Sequence, residues 1–130
     1  MKKKQLGQFF TTNADSILKG LERLIRNKDI VDPFAGSGDL LEWAKKNGAK
    51  TIKGFDVDLN KSKNKLIAFQ DSILEPQNYN FVITNPPYLN INKASKETKD
   101  RYFKHSFEDL YQISIASIMG SEEGIIIVPI

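Results

Sequence analysis

Apolar and polar positions along the chain follow two rhythms, one helical and one of short continuous apolar runs. In residues 12–26, "TNADSILKGLERLIR", Ile17, Leu21 and Leu24 recur at helical spacing beside Leu18 and Ile25. Thr12 and Asp15 add the spacing of a capping box, so a first helix with an apolar, core-facing stripe is predicted. "DIVDPFAGSGDLLEWAKKNG" runs from a short apolar strand through a glycine-rich corner into a helix starting near Asp39, with Gly48 as its stop. "TIKGFDVD" predicts a second strand ending in two acids, "KLIAFQDSIL" a weaker third, and "YNFVITNPPY" a fourth. After a polar stretch, "SFEDLYQISIASIMG" predicts a mostly buried helix, with capping-box spacing at Ser106 and Asp109, and "GIIIVPI" a fifth strand.

Strand and helix alternate, and the strands are near-continuous apolar runs. This pattern predicts an α/β fold with a mostly parallel sheet covered by helices on both faces. Such sheets bind ligands at the carboxyl ends of their strands, near the point where strand order reverses. Asp32, Asp56, Asp71 and Asn85 all fall at predicted strand ends, which places a site there.

Composition narrows the chemistry. The 130 residues suffice for one domain, 1–130. There is no cysteine, which excludes disulfides, thiolate catalysis and cysteine-based metal sites, and a lone His105 argues against a histidine-based metal site or triad, so no metal is expected. No apolar run approaches the roughly 18 residues of a membrane span, and the lysines of "MKKKQLGQFF" precede no apolar segment, so a cytoplasmic protein without membrane contact is expected. The net charge of +3 hints at a polyanionic partner, although a lysine-rich solvated surface accounts for it equally well.

The first candidate site is "DPFAGSG" with the strand that follows it. Gly36 and Gly38 between strand and helix allow close approach of backbone to a ligand. Asp56 ends the next strand, about 20 residues on, where an acid can accept both ribose hydroxyls. Asp32 and Asp39 flank the loop, the third glycine of a dinucleotide fingerprint is replaced by Leu41, and no Gly-Lys-Ser/Thr follows. A ring of carboxylates disfavours a phosphate and suits a cation, so S-adenosylmethionine fits as cofactor. Asp32 then faces its ammonium end and Asp71 accepts from the adenine amino group. Simpler roles remain open: Asp32 before Pro33 can organise a turn, Asp71 before Ser72 likewise, and Asp58 can serve as a helix cap.

The second candidate site is "NPPY", Asn85 to Tyr88. Pro86 and Pro87 forbid a helix and hold the chain extended. The Asn85 side-chain oxygen and a neighbouring backbone carbonyl offer two acceptors, which match an exocyclic amino group. Two acceptors favour a pyramidal nitrogen and ease the positive charge that develops during attack. Tyr88 can stack on the base, which must be flipped out of a duplex to reach such a corner. A proline-rich turn with a packing tyrosine is the plain alternative.

Taken together, these motifs make the chain resemble the amino-group (N6-adenine) DNA methyltransferases of restriction–modification systems, along nearly its whole length. "GQFFTT" resembles the family's N-terminal cofactor motif, which implies that Gln8, Phe9, Phe10 and Thr11 cover the methionine end. "DPFAGSG" resembles the central motif, implying cofactor contacts from Asp32, Pro33, Phe34, Ala35, Gly36 and Gly38. "GFDVD" resembles the ribose motif and aligns Asp56 rather than Asp58. "DSIL" resembles the adenine motif, with Ser72 where the family often has an aromatic. "NPPY" resembles the catalytic motif, with Asn85 also beside the cofactor, while "DLY" (Asp109 to Tyr111) and "GIIIVP" resemble the next helix and strand. The motif order resembles the gamma arrangement.

The resemblance implies a Rossmann-like methyltransferase fold, S-adenosylmethionine as cofactor and DNA as partner. "NPPY" is shared with some RNA and protein-glutamine methyltransferases. A cofactor-binding fragment inactive alone and a nicotinamide-dinucleotide domain are the other readings, the latter opposed by the missing third glycine. Lys93, Lys96, Lys99, Arg101 and Lys104 follow the corner and either meet DNA phosphates or form a mobile solvated loop. The stop at "GIIIVPI" suggests a domain truncated after the fifth strand, without a target-recognition domain. Ile125 to Val128 would then form an open apolar edge, closed by a second polypeptide, by the missing C-terminal part or by self-association.

Overall fold

The computed structural model describes residues 13–58, 65–104 and 107–128. Five strands, β1 (Asp29–Asp32), β2 (Thr51–Asp56), β3 (Ile67–Phe69), β4 (Phe81–Thr84) and β5 (Glu123–Ile126), form one sheet in the order β3-β2-β1-β4-β5. Every pairing is parallel. The chain moves outward from β1 to β3, then returns to the other side of β1 for β4. The strand order therefore reverses between β1 and β4, the place where ligands bind in open α/β sheets.

Helices α1 (Ala14–Ile17), α2 (Glu22–Ile25), α3 (Asp39–Lys46), α4 (Lys96–Tyr102) and α5 (Leu110–Ile118) fill the connections, with a 3-10 turn at Ile91–Lys93. The crossovers β1-α3-β2 and β4-α5-β5 run in opposite directions along the sheet. Parallel crossovers are right-handed, so α3 and α5 lie on opposite faces. The burial of all four residues of β4 agrees with cover on both faces. One core cluster joins Leu18, Ile25, Leu41, Trp43 and Ala44 to Ile30, Phe81 and Ile83. A second joins Leu89, Tyr102, Leu110 and Ile113 beyond β4.

Three expectations change. The single helix predicted over 12–26 is two short helices, α1 and α2. Gly20 breaks it: its φ is +92° and its amide donates to Glu22 Oε2 at 2.8 Å. The stripe splits accordingly, with Leu18 and Ile25 buried but Ile17 52% exposed. The stretch after the corner is not a structureless loop, because Ser95 caps α4 by accepting from the Thr98 amide at 3.1 Å. The last helix starts at Leu110, where Asp109 and Gln112 form the capping box; Ser106 lies outside the described residues.

β5 pairs only with β4 among the described residues, so one backbone edge is open. Its apolar side chains are less available than the sequence suggests, because Ile125, and Ile127 just beyond the strand, are partly buried and pack against the first core cluster.

Candidate functional site

A cleft opens at the carboxyl ends of the strands. Asp32, Pro33, Phe34, Ala35 and Gly36 form one wall of it, Asp56 and Val57 the next, Asp71, Ser72 and Ile73 a third, and Asn85 and Pro87 the side toward the corner. Residues expected at two separate sites thus share one cleft. Gly38, Pro86 and Tyr88 adjoin these residues in the chain without forming the cleft wall. Gly38 caps α3, Pro86 is fully buried, and Tyr88 braces Asn85. Gln8, Phe9, Phe10 and Thr11 lie outside the described residues.

The loop after β1 is held from below. Gly36 and Gly38 take φ of +58° and +92°, a left-handed region that strains other residues. That turn aims the Gly36 amide at Asp56 Oδ2, 2.8 Å away, while Asp56 Oδ1 accepts from the Asp58 amide at 2.8 Å. Asp58 therefore braces Asp56 through its backbone, and Asp56 is the carboxylate in the cleft.

Asp32 is 1% exposed. Its Oδ1 accepts from Thr84 Oγ1 at 2.6 Å and from the Phe34 amide at 3.0 Å. Burial pushes its carboxyl up to about 7, opposed by those two hydrogen bonds and assisted slightly by the charge of Asp56. The turn expected from Asp-Pro is present in the Phe34 contact, and the residue also faces the cleft. Thr84 has no apolar-pattern signal as a site residue, yet it ties the end of β4 to the end of β1.

Asp71 is more engaged than its sequence position suggests. Its Oδ1 accepts from the Ile73 and Leu74 amides at 3.2 Å each. Its Oδ2 accepts from the Tyr102 hydroxyl at 2.7 Å and forms an ion pair with Arg101 at 3.0 Å. The predicted turn and the cleft position are both real. Arg101 is committed to this pair, so it stands apart from the neighbouring lysines as a candidate for meeting phosphates. Ser72 turns away from a ligand role at its hydroxyl, donating to the Pro33 carbonyl at 3.0 Å, and so ties the third wall to the first.

At the corner, Tyr88 donates its hydroxyl toward Asn85 Oδ1, 2.7 Å away, and also contacts the Ile127 carbonyl. Its ring meets Tyr111 edge-on, with centroids 5.5 Å apart. Burial, with the charge of Asp109 and the nearby Tyr111, pushes the Tyr88 hydroxyl up to about 12, so it stays a donor near neutrality. Beyond the corner, Leu89 donates its amide to Asp109 Oδ1 at 3.0 Å and accepts from the Leu110 amide at 2.9 Å. The cap of α5 therefore pins the extended corner. In the sequence, Asp109 stands out only through "DLY" and its capping spacing; its long-range hold on Leu89 carries no local signal.

No protein-family model matches the chain. It is similar to the type II methyltransferases M.HincII and M.HindII of Haemophilus influenzae, at 29% identity over 114 residues and 85% of its own length. The chain spans 22% of the length of these relatives. Among solved structures it is similar to a protein of Pyrococcus horikoshii described as an RNA methyltransferase, with a TM-score of 0.65, 21% identity, and coverage of 99% of this chain and 67% of that one. The resemblance to restriction–modification methyltransferases carried by the motifs is borne out by the two type II relatives. The structural likeness bears out the expected Rossmann-like α/β fold with its parallel sheet.

Proposed function

We propose that this chain is the cofactor-binding and catalytic part of a restriction–modification methyltransferase, acting on the N6 amino group of a flipped-out adenine in DNA. The observation that carries the reading is the joint position of Asp32, Asp56 and Asn85 on one cleft at the strand-order reversal. S-adenosylmethionine fits the donor set. Carboxylates line the cleft, and Val57, Ile73 and Leu110 offer apolar surface for a nucleobase. When bound, the cofactor supplies an electrophilic methyl group on a sulfonium.

The chain's own residues do the rest. Asp56 accepts from the ribose hydroxyls while the Gly36 and Asp58 amides hold its carboxylate in place. Asp32, ionised, accepts from the ammonium end. Asp71 accepts from the cofactor's adenine amino group. Asn85 Oδ1 accepts from the target amino group, which takes the place of the Tyr88 hydroxyl there. A backbone carbonyl of the proline corner accepts the second hydrogen, and the Tyr88 ring stacks on the base. DNA is the substrate partner, and the open edge of β5 is where a further segment, second polypeptide or second copy of the chain pairs.

The test is transfer of labelled methyl groups to unmethylated DNA, followed by nucleoside analysis. N6-methyladenine formed by the wild type, alone or with any required partner, and not by Asn85→Ala under the same conditions is the expected result. Label appearing instead in RNA, in cytosine or in a protein glutamine overturns the substrate assignment.

A further inference from the structure

The cleft contains one arrangement that cofactor binding alone does not explain. Asp71 is a carboxylate only 4% exposed, and a buried charge is costly unless it is paired and hydrogen-bonded. The pairing comes from α4, 30 residues away in sequence. Arg101 directs Nη2 and Nε onto Oδ2 at 3.0 and 3.3 Å, and the Tyr102 hydroxyl donates to the same oxygen. Arg101 Nε also donates to that hydroxyl at 3.1 Å, which fixes its direction. Burial, reinforced by the hydrogen bond to Asp71, pushes Tyr102 up to about 12, so its proton stays on the hydroxyl.

These contacts are unequal around the carboxylate. Oδ2 carries the three side-chain contacts, whereas Oδ1 carries two amide contacts of 3.2 Å. Asp71 and Tyr102 line the cleft, while Arg101 lines an outer groove with Lys96 and Lys104, its side chain 46% exposed. A cation outside the wall thus orients a carboxylate inside it.

We propose that Arg101 is a positioning residue for nucleobase selection: it fixes the Asp71 carboxylate so that the cleft takes an amino-bearing purine and rejects an oxo-bearing one. This role rests on the nucleoside reading of the cleft. An ionised carboxylate only accepts hydrogen bonds. An exocyclic amino group adds a donor to this acceptor-only group, beside the two 3.2 Å amide contacts on Oδ1, whereas a carbonyl in the same place sets lone pair against lone pair. Discrimination requires that the carboxylate not turn away, and the Arg101 and Tyr102 contacts prevent that.

Calorimetric titration of the full chain with S-adenosylhomocysteine and with S-inosylhomocysteine tests this. The wild type should prefer the adenine compound by about tenfold or more, the scale of one charge-assisted hydrogen bond. Arg101→Ala should lose affinity for the adenine compound alone and bring the ratio toward one, and Arg101→Lys should restore part of it. Tyr102→Phe removes only a hydroxyl from a buried ring and should lower the ratio in the same direction, whatever the folding of the Arg101 variants. An equal loss for both compounds, or an unchanged ratio in Arg101→Ala and Tyr102→Phe, overturns the positioning role. A wild type that binds neither compound overturns the nucleoside reading, and this role with it.

Discussion

The two ends of the cleft are built in different ways. At the β1–β2 end, Asp56 is held by two backbone amides, those of Gly36 and Asp58, and the left-handed glycine turn delivers one of them. At the β4 end, Asn85 is braced by a tyrosine hydroxyl, and the chain just beyond it by the side chain of Asp109. Backbone amides survive most substitutions around them. A site held by hydroxyls and carboxylates changes with the loss of one atom. The cofactor end should therefore fail chiefly when its own acids are removed, and the target end also when its supports are.

The strongest test of that contrast is Asn85→Ala. It should lower methyl transfer by at least about 10²-fold, the scale of losing one donor or acceptor at a developing charge, while calorimetry shows unchanged S-adenosylhomocysteine affinity. A parallel loss of cofactor affinity would mean that the two ends are one unit.

Asp56→Ala comes next. It should weaken S-adenosylhomocysteine binding by about 1.5–3 kcal/mol for each ribose hydroxyl that no longer finds its acceptor. Asp58→Ala keeps its amide and should bind as the wild type does. Equal effects of the two would contradict a backbone-built end.

The pH response of Asp32 is smaller and has a defined sign. Its folded value of about 7 lies above the ordinary 3.8, so the folded state retains a proton between those values that the unfolded chain has released. Stability from this group is highest below 3.8, falls as pH rises to about 7, and is level above. Cofactor affinity runs the other way, because the ammonium requires the ionised carboxylate. It should rise by up to about tenfold per pH unit below 7 and level off above, as read by titrations on both sides of that value. Asp32→Asn should abolish the slope.

Tyr88→Phe removes the hydroxyl that braces Asn85, so it should lower methyl transfer, though less than Asn85→Ala does, and cost about 0.5–1.5 kcal/mol of stability, seen in denaturant midpoints. Its ring remains for stacking, so transfer should fall less than in Tyr88→Ala. Finally, reversing the charges of Lys93, Lys96 and Lys99 should reduce the slope of log affinity against log salt by roughly 0.9 for each DNA phosphate that is no longer neutralised. Glu97 and Asp100 on the same helix dilute its positive charge, so an unchanged slope would assign these lysines to solvent.

The sequence alone determined the parallel sheet, because near-continuous apolar runs alternating with helical segments bury strands on both faces. It also placed Asp32, Asp56, Asp71 and Asn85 at strand ends, since each closes a predicted strand or comes within two residues of its last apolar position. Periodicity could not decide the break at Gly20, where one residue's dihedral overrides a consistent apolar stripe. Nor could it show α4, whose polar sequence carries little apolar stripe and whose docking depends on Arg101 and Tyr102 meeting Asp71. Only the tertiary structure decided which hydrogen bonds hold each acid. Asp56 and Asp71 look alike in the chain, each an acid beyond a short apolar run. Folding gives one to backbone amides and the other largely to a helix 30 residues away, because partners at that distance are chosen by how strands and helices pack and not by local spacing.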